Sequence, residues 1–385
     1  MKKIFLLSAI ICFGLVACKQ KAKQTEIIEG KTFLNYTSEK LDENAKIGYS
    51  EMAAKMTWTG AMVSDPDYTI WGASPIEGPD GKIHVFAARW KEIKIRPAWY
   101  KTCEIAHYVA DHPEGEYKYV ETVATGSGVD GAWDKYAPHN PEIKKIGEYY
   151  ALIYIANTDY HKPPFPANQR IGLLYSKSLN GPWKKAGKDG LIIDVPSDSN
   201  HWTYDYRMKG ADNPSINIVG DKIIAYYKVT KQLEDGSIVS VYTYASSNKI
   251  EGPYTISEKP LMENDCYIED ATSFSYKDKH YLLTCDNNHD VSGLITGGVL
   301  WESADGVSFS HDKVSIGWRP VKKHYKEYDS KIANYIHPPY ESKFERPKVL
   351  MQNNKPTYFF APSKTNVYGG ERMGCYILKI DQLEK

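Results

Sequence analysis

A repeated pattern of short strands constrains the fold of this chain more than any other feature. The segments HNPEIKKIGEYYALIY, from His139, and DNPSINIVGDKIIAYY, from Asp212, have the same frame. Each begins with Asn-Pro-X-Ile, has a Gly seven residues after the Asn, and has a Tyr seven residues after that Gly. A Gly turn between two runs of apolar and aromatic residues is typical of an antiparallel hairpin.

Looser copies of the frame occur elsewhere in the chain. They are SPIEGPDGKIHVF from Ser74, EDATSFSYKDKHYLLT from Glu269 and ERPKVLMQNNKPTYFF from Glu345. After the first four frames comes a further strand with a Gly-containing turn, as in LYSKSLNGPW and LWESADGVSF. No stretch shows sustained helical periodicity. The sequence therefore predicts an all-β fold, a β-propeller with five clear repeats. Residues 31–70 and 313–344 leave room for up to seven blades.

The N-terminus predicts export. A basic Met-Lys-Lys start is followed by the apolar run IFLLSAIICFGLVA and by Cys18, and this run is too short to span a bilayer. The tetrapeptide LVAC resembles a bacterial lipobox, which implies lipidation of Cys18. We expect a signal peptide over residues 1–18, a polar tether over 19–31, and one catalytic propeller domain over 32–385. The expected location is the outer membrane or cell surface, with a periplasmic orientation as the alternative.

Composition narrows the choice of ligand. The 48 basic and 48 acidic residues balance, so a nucleic-acid partner is not expected. Four cysteines remain outside the export segment without any CxxC spacing, which argues against a disulfide framework. Thirty tyrosines and nine tryptophans favour a carbohydrate partner, because aromatic rings are flat surfaces on which sugars stack. Contact with a membrane is expected only through the lipid on Cys18.

Residues at the frame starts are candidates for the central channel, where the innermost strands of a propeller meet. In one scheme, Asp212 and Glu269 hydrolyse a glycosidic bond, as carboxylates do in five-bladed glycosidases. The first frame places Ser74 where a further carboxylate is expected, which weakens that scheme. Asn, Asp and Ser before Pro also form ordinary turns, so a purely structural role is the alternative.

A second scheme begins with the histidines in GKIHVFAARW and CEIAHYVADHPEG. Together with HNPEIKKIGEYYALIYIAN and NQRIGLLYSKSLNGPW, these segments resemble the β-propeller ulvan lyases, which are related to propeller α-L-rhamnosidases. The resemblance covers much of residues 70–310 and implies a seven-bladed fold. It also implies catalytic roles for His84, His107, Tyr154 and Arg170. Taken singly, each histidine is more typical of an ordinary strand position.

The resemblance implies a carbon–oxygen lyase that acts by β-elimination on uronic acids of a rhamnose-rich polysaccharide, sulfated or not. Arginine suits the C6 carboxylate because its planar fork binds carboxylates bidentately. Histidine and tyrosine can transfer the protons at C5 and at the leaving oxygen. The product would be a 4,5-unsaturated uronate, and the leaving group either a sugar or, in a dehydratase, water. A family 43-like hydrolase or rhamnosidase using Asp212 and Glu269 is one alternative, and a surface glycan-binding lipoprotein is another.

Other residues are assigned to binding. Candidates for substrate contact at strand ends are Arg89, His139, Asn140, Tyr206, Arg207 and Lys228. The proposed chemistry requires no cofactor. Cys266, Cys285 and His337 are ligand types that suit Zn²⁺, and a structural Zn or Ca between late blades is the metal hypothesis. Burial of the cysteines as free thiols is the alternative.

Overall fold

Five antiparallel sheets, each of four or five strands, make up the described part of the chain. The computed structural model describes residues 44–93, 97–159, 168–262, 267–294, 296–320, 343–363, 373–381 and 383. These residues all lie within one compact unit, Thr32–Lys385. The signal peptide, the tether and Cys18 lie outside the described residues.

Each sheet is one blade, numbered from the N-terminus. Blade 1 contains β2 (Thr69–Glu77), β3 (Ile83–Trp90), β4 (Glu104–Ala110) and β5 (Lys118–Ala124). Blade 2 contains β6 (Tyr136–Ile146), β7 (Tyr149–Asn157), β8 (Gln169–Ser176) and β10 (Leu191–Ile193), with β9 (Lys184–Lys185) also paired to β8. Blade 3 contains β11 (Asp212–Val219), β12 (Lys222–Gln232), β13 (Ile238–Ser247) and β14 (Thr255–Ile256).

The first and last strands of the described chain pair with each other in the last blade. Blade 4 contains β15 (Ile268–Tyr276), β16 (Lys279–Asp286), β17 (Gly298–Ser303) and β18 (Val314–Trp318). Blade 5 contains β19 (Lys348–Gln352), β20 (Lys355–Pro362) and β21 (Cys375–Ile380), and its outermost strand is β1 (Met56–Val63). Pairing of β1 with β21 thus closes the ring, and Met56–Val63 belongs to blade 5 rather than to a further blade.

The innermost strands β2, β6, β11, β15 and β19 contact one another in that order, and β19 contacts β2 again. This confirms the predicted β-propeller, with five blades in the described chain; the seven blades implied by the resemblance are not found. Apolar side chains fill each gap between neighbouring blades. Every residue of β3 is buried, because neighbouring blades cover both faces of its sheet.

Short helices cap some of the connections. They are α1 (Glu51–Ala54), α2 (Ala98–Lys101) and a 3-10 helix (Trp202–Tyr206). The α1 helix begins after Ser50, whose Oγ accepts a hydrogen bond from the Ala53 amide at 3.0 Å, as N-cap serines do. No helix in the described ranges is long and apolar enough to cross a bilayer.

Candidate functional site at the channel mouth

All five inner strands begin at the same end of the propeller, which we call the mouth. One residue near each start has a positive φ, and these residues are Gly72, Asn140, Asn213, Asp270 and Arg346. In blades 1 to 4 the pairing register breaks at this residue. The break aligns Gly72 with Asn140, so the predicted alignment of Ser74 with Asn140 was two residues out. Ser74 is the counterpart of Glu142.

Side chains at four of these five positions form an open hydrogen-bonded series around the axis, which we call the ring. Asn140 Nδ2 donates to Asn213 Oδ1 at 3.0 Å, and Asn213 Nδ2 donates to Asp270 Oδ1 at 2.9 Å. Arg346 forms an ion pair with Asp270. Gly72 lies against Arg346, since a Cβ built on it would be 3.6 Å from Arg346 Cβ. The ring joins the inner strands of adjacent blades.

Two residues further along the strands, a buried carboxylate holds the channel together. Glu142 Oε2 accepts from Lys348 Nζ at 2.7 Å and from Thr272 Oγ1 at 2.8 Å. Glu142 Oε1 accepts from Ser215 Oγ at 2.5 Å. Burial opposes ionisation, but the charges of Lys348 and Lys144 outweigh it and lower the pKa of Glu142. Glu142 is fully buried, so its role is structural.

One residue before the ring, two carboxylates share a lysine. Lys228 Nζ donates to Glu269 Oε2 at 2.9 Å and lies 3.3 Å from Asp212 Oδ1. The Glu269 side chain keeps 17% of its exposure, so a ligand in the mouth can reach it. Although burial opposes it, nearby cations, Lys228 and Arg346 foremost, hold the pKa of Glu269 well below its usual range. Glu269 is therefore ionised at neutral pH.

More cations line the same side of the mouth. Lys209 Nζ contacts the Tyr267 hydroxyl at 3.5 Å, and that hydroxyl lies 3.3 Å from Glu269 Oε2. Lys343 Nζ forms an ion pair with Glu345 Oε1 at 3.0 Å. This half of the mouth, from blades 3, 4 and 5, is strongly polar.

The opposite half is aromatic. His139 lies 5.9 Å from the ring of Trp90 and 5.4 Å from that of Trp99, and its Nδ1 is 3.2 Å from Cys103 Sγ. Burial, with a smaller effect of Arg346, holds the pKa of His139 well below its usual range, so the ring is neutral. Trp99 lies on α2 and was missed from the sequence, because a four-residue helix has no detectable periodicity.

The predicted catalytic histidines lie in contact, but inside blade 1. His84 Nδ1 is 2.8 Å from His107 Nε2, and the His107 ring stacks on Phe86 at 4.6 Å. His84 pairs across the sheet with Ile76, near the end of β2 remote from the mouth. Burial and the neighbouring His84 lower the pKa of His107 to about 4. His84 Nε2 also lies 3.2 Å from Asp80 Oδ1, so the pair is held by contacts within blade 1.

Tyr154 and Arg170 lie in blade 2. Tyr154 packs on Trp133 at 5.9 Å in the apolar layer that faces blade 1, and it is buried. Arg170 Nε donates to Asp194 Oδ1 at 2.6 Å on the outer part of the blade. Tyr154 pairs with Gly172, and Arg170 with Ala156. The structure thus brings the two histidines together but does not gather all four residues around a ligand-sized space.

The predicted binding residues divide into two groups. His139, Asn140 and Lys228 are at the mouth, as described above. Arg89 is instead buried on the face of blade 1 toward blade 5, where its Nε donates to Glu104 at 2.7 Å and its guanidinium lies between Tyr68 and Tyr119.

Tyr206 and Arg207 form local contacts at the 3-10 helix. Tyr206 packs on Trp202 at 5.7 Å. The Arg207 guanidinium lies 3.5 Å from the centre of the Tyr204 ring. Both side chains therefore pack against neighbouring aromatic rings of the same short helix.

The metal hypothesis can be checked at one residue. Cys285 is buried, and its thiol donates to Asp270 Oδ2 at 3.5 Å and to the Phe344 carbonyl at 3.6 Å. Cys266 and His337 lie outside the described residues. Within the ranges that the structure describes, no group of three metal-ligating side chains is found.

No protein-family model matches the sequence, and no curated protein matches it. Solved structures do match. A family 117 glycoside hydrolase from the marine bacterium Zobellia galactanivorans superimposes with a TM-score of 0.59 and 13% identity, over 86% of this chain and 90% of that chain. The complex of BT0996 with RGII superimposes with a TM-score of 0.61 and 13% identity, over 86% of this chain and 93% of that chain. An α-L-arabinofuranosidase from Lactobacillus brevis superimposes with a TM-score of 0.53 and 12% identity, over 84% of this chain and 94% of that chain.

These neighbours correct the prediction of enzyme class. They are glycoside hydrolases, and the comparisons show no ulvan lyase or rhamnosidase family. The prediction of a polysaccharide or oligosaccharide lyase is therefore wrong. At such identities the likeness shows the fold: the chain is a β-propeller of the kind found in these glycoside hydrolases.

Proposed function

We propose that this protein is a glycoside hydrolase whose active site is the channel mouth. The observation that carries the proposal is the convergence of Asp212 and Glu269, one residue before the ring in neighbouring blades, on Lys228 Nζ. The two oxygens that face this nitrogen, at 3.3 and 2.9 Å, can be no more than about 6.2 Å apart. Paired carboxylates at such a separation are the usual apparatus for glycosidic bond cleavage.

The surroundings suggest a role for each carboxylate. Glu269 is held ionised by cations, so it suits a nucleophile or a stabiliser of positive charge at the anomeric carbon. Asp212 Oδ1 lies near Lys228 but accepts no hydrogen bond among the described residues. We assign Asp212 as the second catalytic carboxylate.

Removing either carboxylate tests the assignment. Asp212→Asn and Glu269→Gln are expected to lower the hydrolysis rate by about 100-fold or more, the usual contribution of acid–base groups. Glu302→Gln is the matched control, because Glu302 is also buried and accepts from Tyr281 at 3.2 Å, but in blade 4 away from the ring. Rates would be measured by reducing-end release from an oligosaccharide panel. Equal loss in the control, or full activity of both variants, would contradict the proposal.

A glycan-binding role is the second candidate. It is favoured by Lys228, which neutralises both carboxylates in the unliganded structure, and by Trp99 and the other aromatic residues beside His139. Tight oligosaccharide binding without turnover by the wild-type protein would select this role.

The substrate class and location are also proposals. The resemblance noted in the sequence suggests glycans that contain rhamnose and uronic acids, and LVAC suggests an envelope lipoprotein with the lipid on Cys18. Mass spectrometry of the mature N-terminal peptide tests the second point. A diacylglyceryl group on Cys18 is expected, and an unmodified thiol would contradict it.

A further inference from the structure

The backbone at Lys209 is fixed beside the channel mouth. The Gln169 amide donates to the Lys209 carbonyl at 3.2 Å, and the Ala211 amide donates to the Gln169 carbonyl at 3.1 Å. Between them, Gly210 has φ +91°, and a Cβ there would lie 2.2 Å from the Gln169 carbonyl oxygen. Only glycine allows this close approach. The position from which the Lys209 side chain extends is therefore set by the strand end of blade 2.

Lys209 differs from the other cations of the mouth in its partners. Lys228 is paired with Asp212 and Glu269, Arg346 with Asp270, and Lys343 with Glu345. Among the described residues, Lys209 contacts only the neutral hydroxyl and the ring of Tyr267. A partly buried ammonium that forms no ion pair is unfavourable. The charge of Lys228 and burial lower the pKa of Lys209, which is the expected sign of that cost.

Two buried amides near Lys209 also have unused hydrogen-bonding atoms. Asn157 and Gln169 are paired directly across β7 and β8. They continue the face on which Ile155 and Ile171 pack against Ala211. Asn157 Nδ2 and Gln169 Oε1 have no partner among the described residues. Buried polar atoms in folded proteins are nearly always paired, so an unused donor and acceptor at the strand ends that contact the Lys209 backbone indicate a polar ligand.

We propose that Lys209 is the centre of an anion subsite that binds the carboxylate or sulfate of an acidic sugar, with Asn157 and Gln169 contacting its hydroxyl groups. This rests on the proposed function, because it places a charged sugar next to Asp212 and Glu269. Lys209 is only partly buried, so a sugar in the mouth can reach it. The subsite selects substrates by charge and is separate from the carboxylates that cleave the bond.

Binding of three probes tests the subsite: methyl glucuronide, methyl glucoside and the 6-sulfate of methyl glucoside. Dissociation constants would be measured by calorimetry on Asp212→Asn protein, so that turnover plays no part. We expect at least one anionic probe to bind about tenfold or more tighter than the neutral probe, the usual effect of a charge-assisted hydrogen bond. The tighter anionic probe identifies the carboxylate or the sulfate as the natural group.

Variants separate the subsite from general charge effects. Lys209→Met is expected to abolish the preference for the anion and to leave the affinity for methyl glucoside unchanged, while Lys209→Arg retains the preference. Lys222→Met, an exposed lysine at the opposite end of blade 3, is the matched control and should behave as the parent. Equal binding of all probes, no binding of any, or a preference that persists in Lys209→Met would overturn the subsite. Failure of hydrolysis in the separate rate assay would overturn only the proposed activity.

Discussion

At the scale of single residues, the same chemical type has different roles according to its surroundings. Glu142 and Glu269 both face lysines, but Glu142 is fully buried and has hydroxyl partners on two further blades. Glu269 remains partly exposed at the mouth. Burial with complete hydrogen bonding makes a carboxylate structural, whereas access to a ligand lets it take part in chemistry.

The lowered pKa of the buried His107 makes the free energy of unfolding depend on pH. Its pKa is about 4 in the folded protein and near 6.5 in an unfolded chain, so the unfolded state binds more protons between these values. The resulting stabilisation, about 3 kcal/mol, is complete above pH 6.5 and is lost as the pH falls through 4. His107→Phe should flatten this dependence in urea unfolding between pH 4 and 7, because phenylalanine does not titrate.

Exposed His112 provides the control for that experiment. His112→Phe should leave the pH dependence of the unfolding free energy as it is in the wild type. An unchanged dependence in His107→Phe would show that other groups cause it.

At the scale of elements, the start of each inner strand is the organising feature. A left-handed residue bends the strand, and its side chain joins the ring across the axis. Asn tolerates this conformation better than most residues, which explains the Asn-Pro motif in β6 and β11. The repeated motif in the sequence is thus the chemical signature of the ring.

Asn213 tests the contribution of the ring. Asn213→Ala removes the acceptor for Asn140 and the donor for Asp270, and it places alanine in a left-handed conformation. We expect the free energy of unfolding to fall by about 3 kcal/mol, measured by urea denaturation. Asn217→Ala on the same strand, where an exposed amide donates to Ser275 Oγ at 3.0 Å, should change it by less than about 0.5 kcal/mol. Equal effects of the two substitutions would mean that the ring adds nothing.

These elements also show what the sequence can predict. The spacing from Asn140 to Tyr154 recurs between Asn213 and Tyr227 because both blades have a two-residue hairpin, so these blades were predicted correctly. In blade 1 five residues separate β2 from β3. Because this hairpin is longer than those of blades 2 and 3, counting back from its Gly aligned Ser74 with Asn140, which was wrong. The place of β1 in blade 5 depends on its pairing with β21, which closes the propeller. Local sequence does not indicate such a distant pairing.

The site was predicted only in part for a similar reason. Asp212, Glu269, His139 and Asn140 lie at frame starts, where the repeat predicted channel positions, and Lys228 directly follows the frame that begins at Asp212. Lys209 and Trp99 lie in connections outside the frame, so no spacing marked them. His84 and His107 were attractive because histidine is rare in strands, yet both lie inside blade 1, where His84 Nδ1 contacts His107 Nε2 and Phe86 covers the His107 ring.

At the scale of the whole molecule, the propeller brings together residues that are far apart in the chain. Trp99 from blade 1, Asp212 from blade 3 and Glu269 from blade 4 meet near one axis only because five blades form a closed ring. The aromatic half of the mouth can hold the face of a sugar ring, and the polar half can contact its hydroxyl and charged groups. This division is the basis for proposing a glycan as the substrate.

The most direct test of the account is the mass of the reaction products. Wild-type protein and Asp212→Asn would be incubated in ¹⁸O-labelled water with oligosaccharides that include acidic members, followed by mass spectrometry with ultraviolet detection. Hydrolysis predicts two fragments whose masses together exceed that of the parent by one labelled water, without new absorbance, and only with the wild type. Absorbing fragments that have gained no water, or no cleavage of any member by the wild type, would contradict the account.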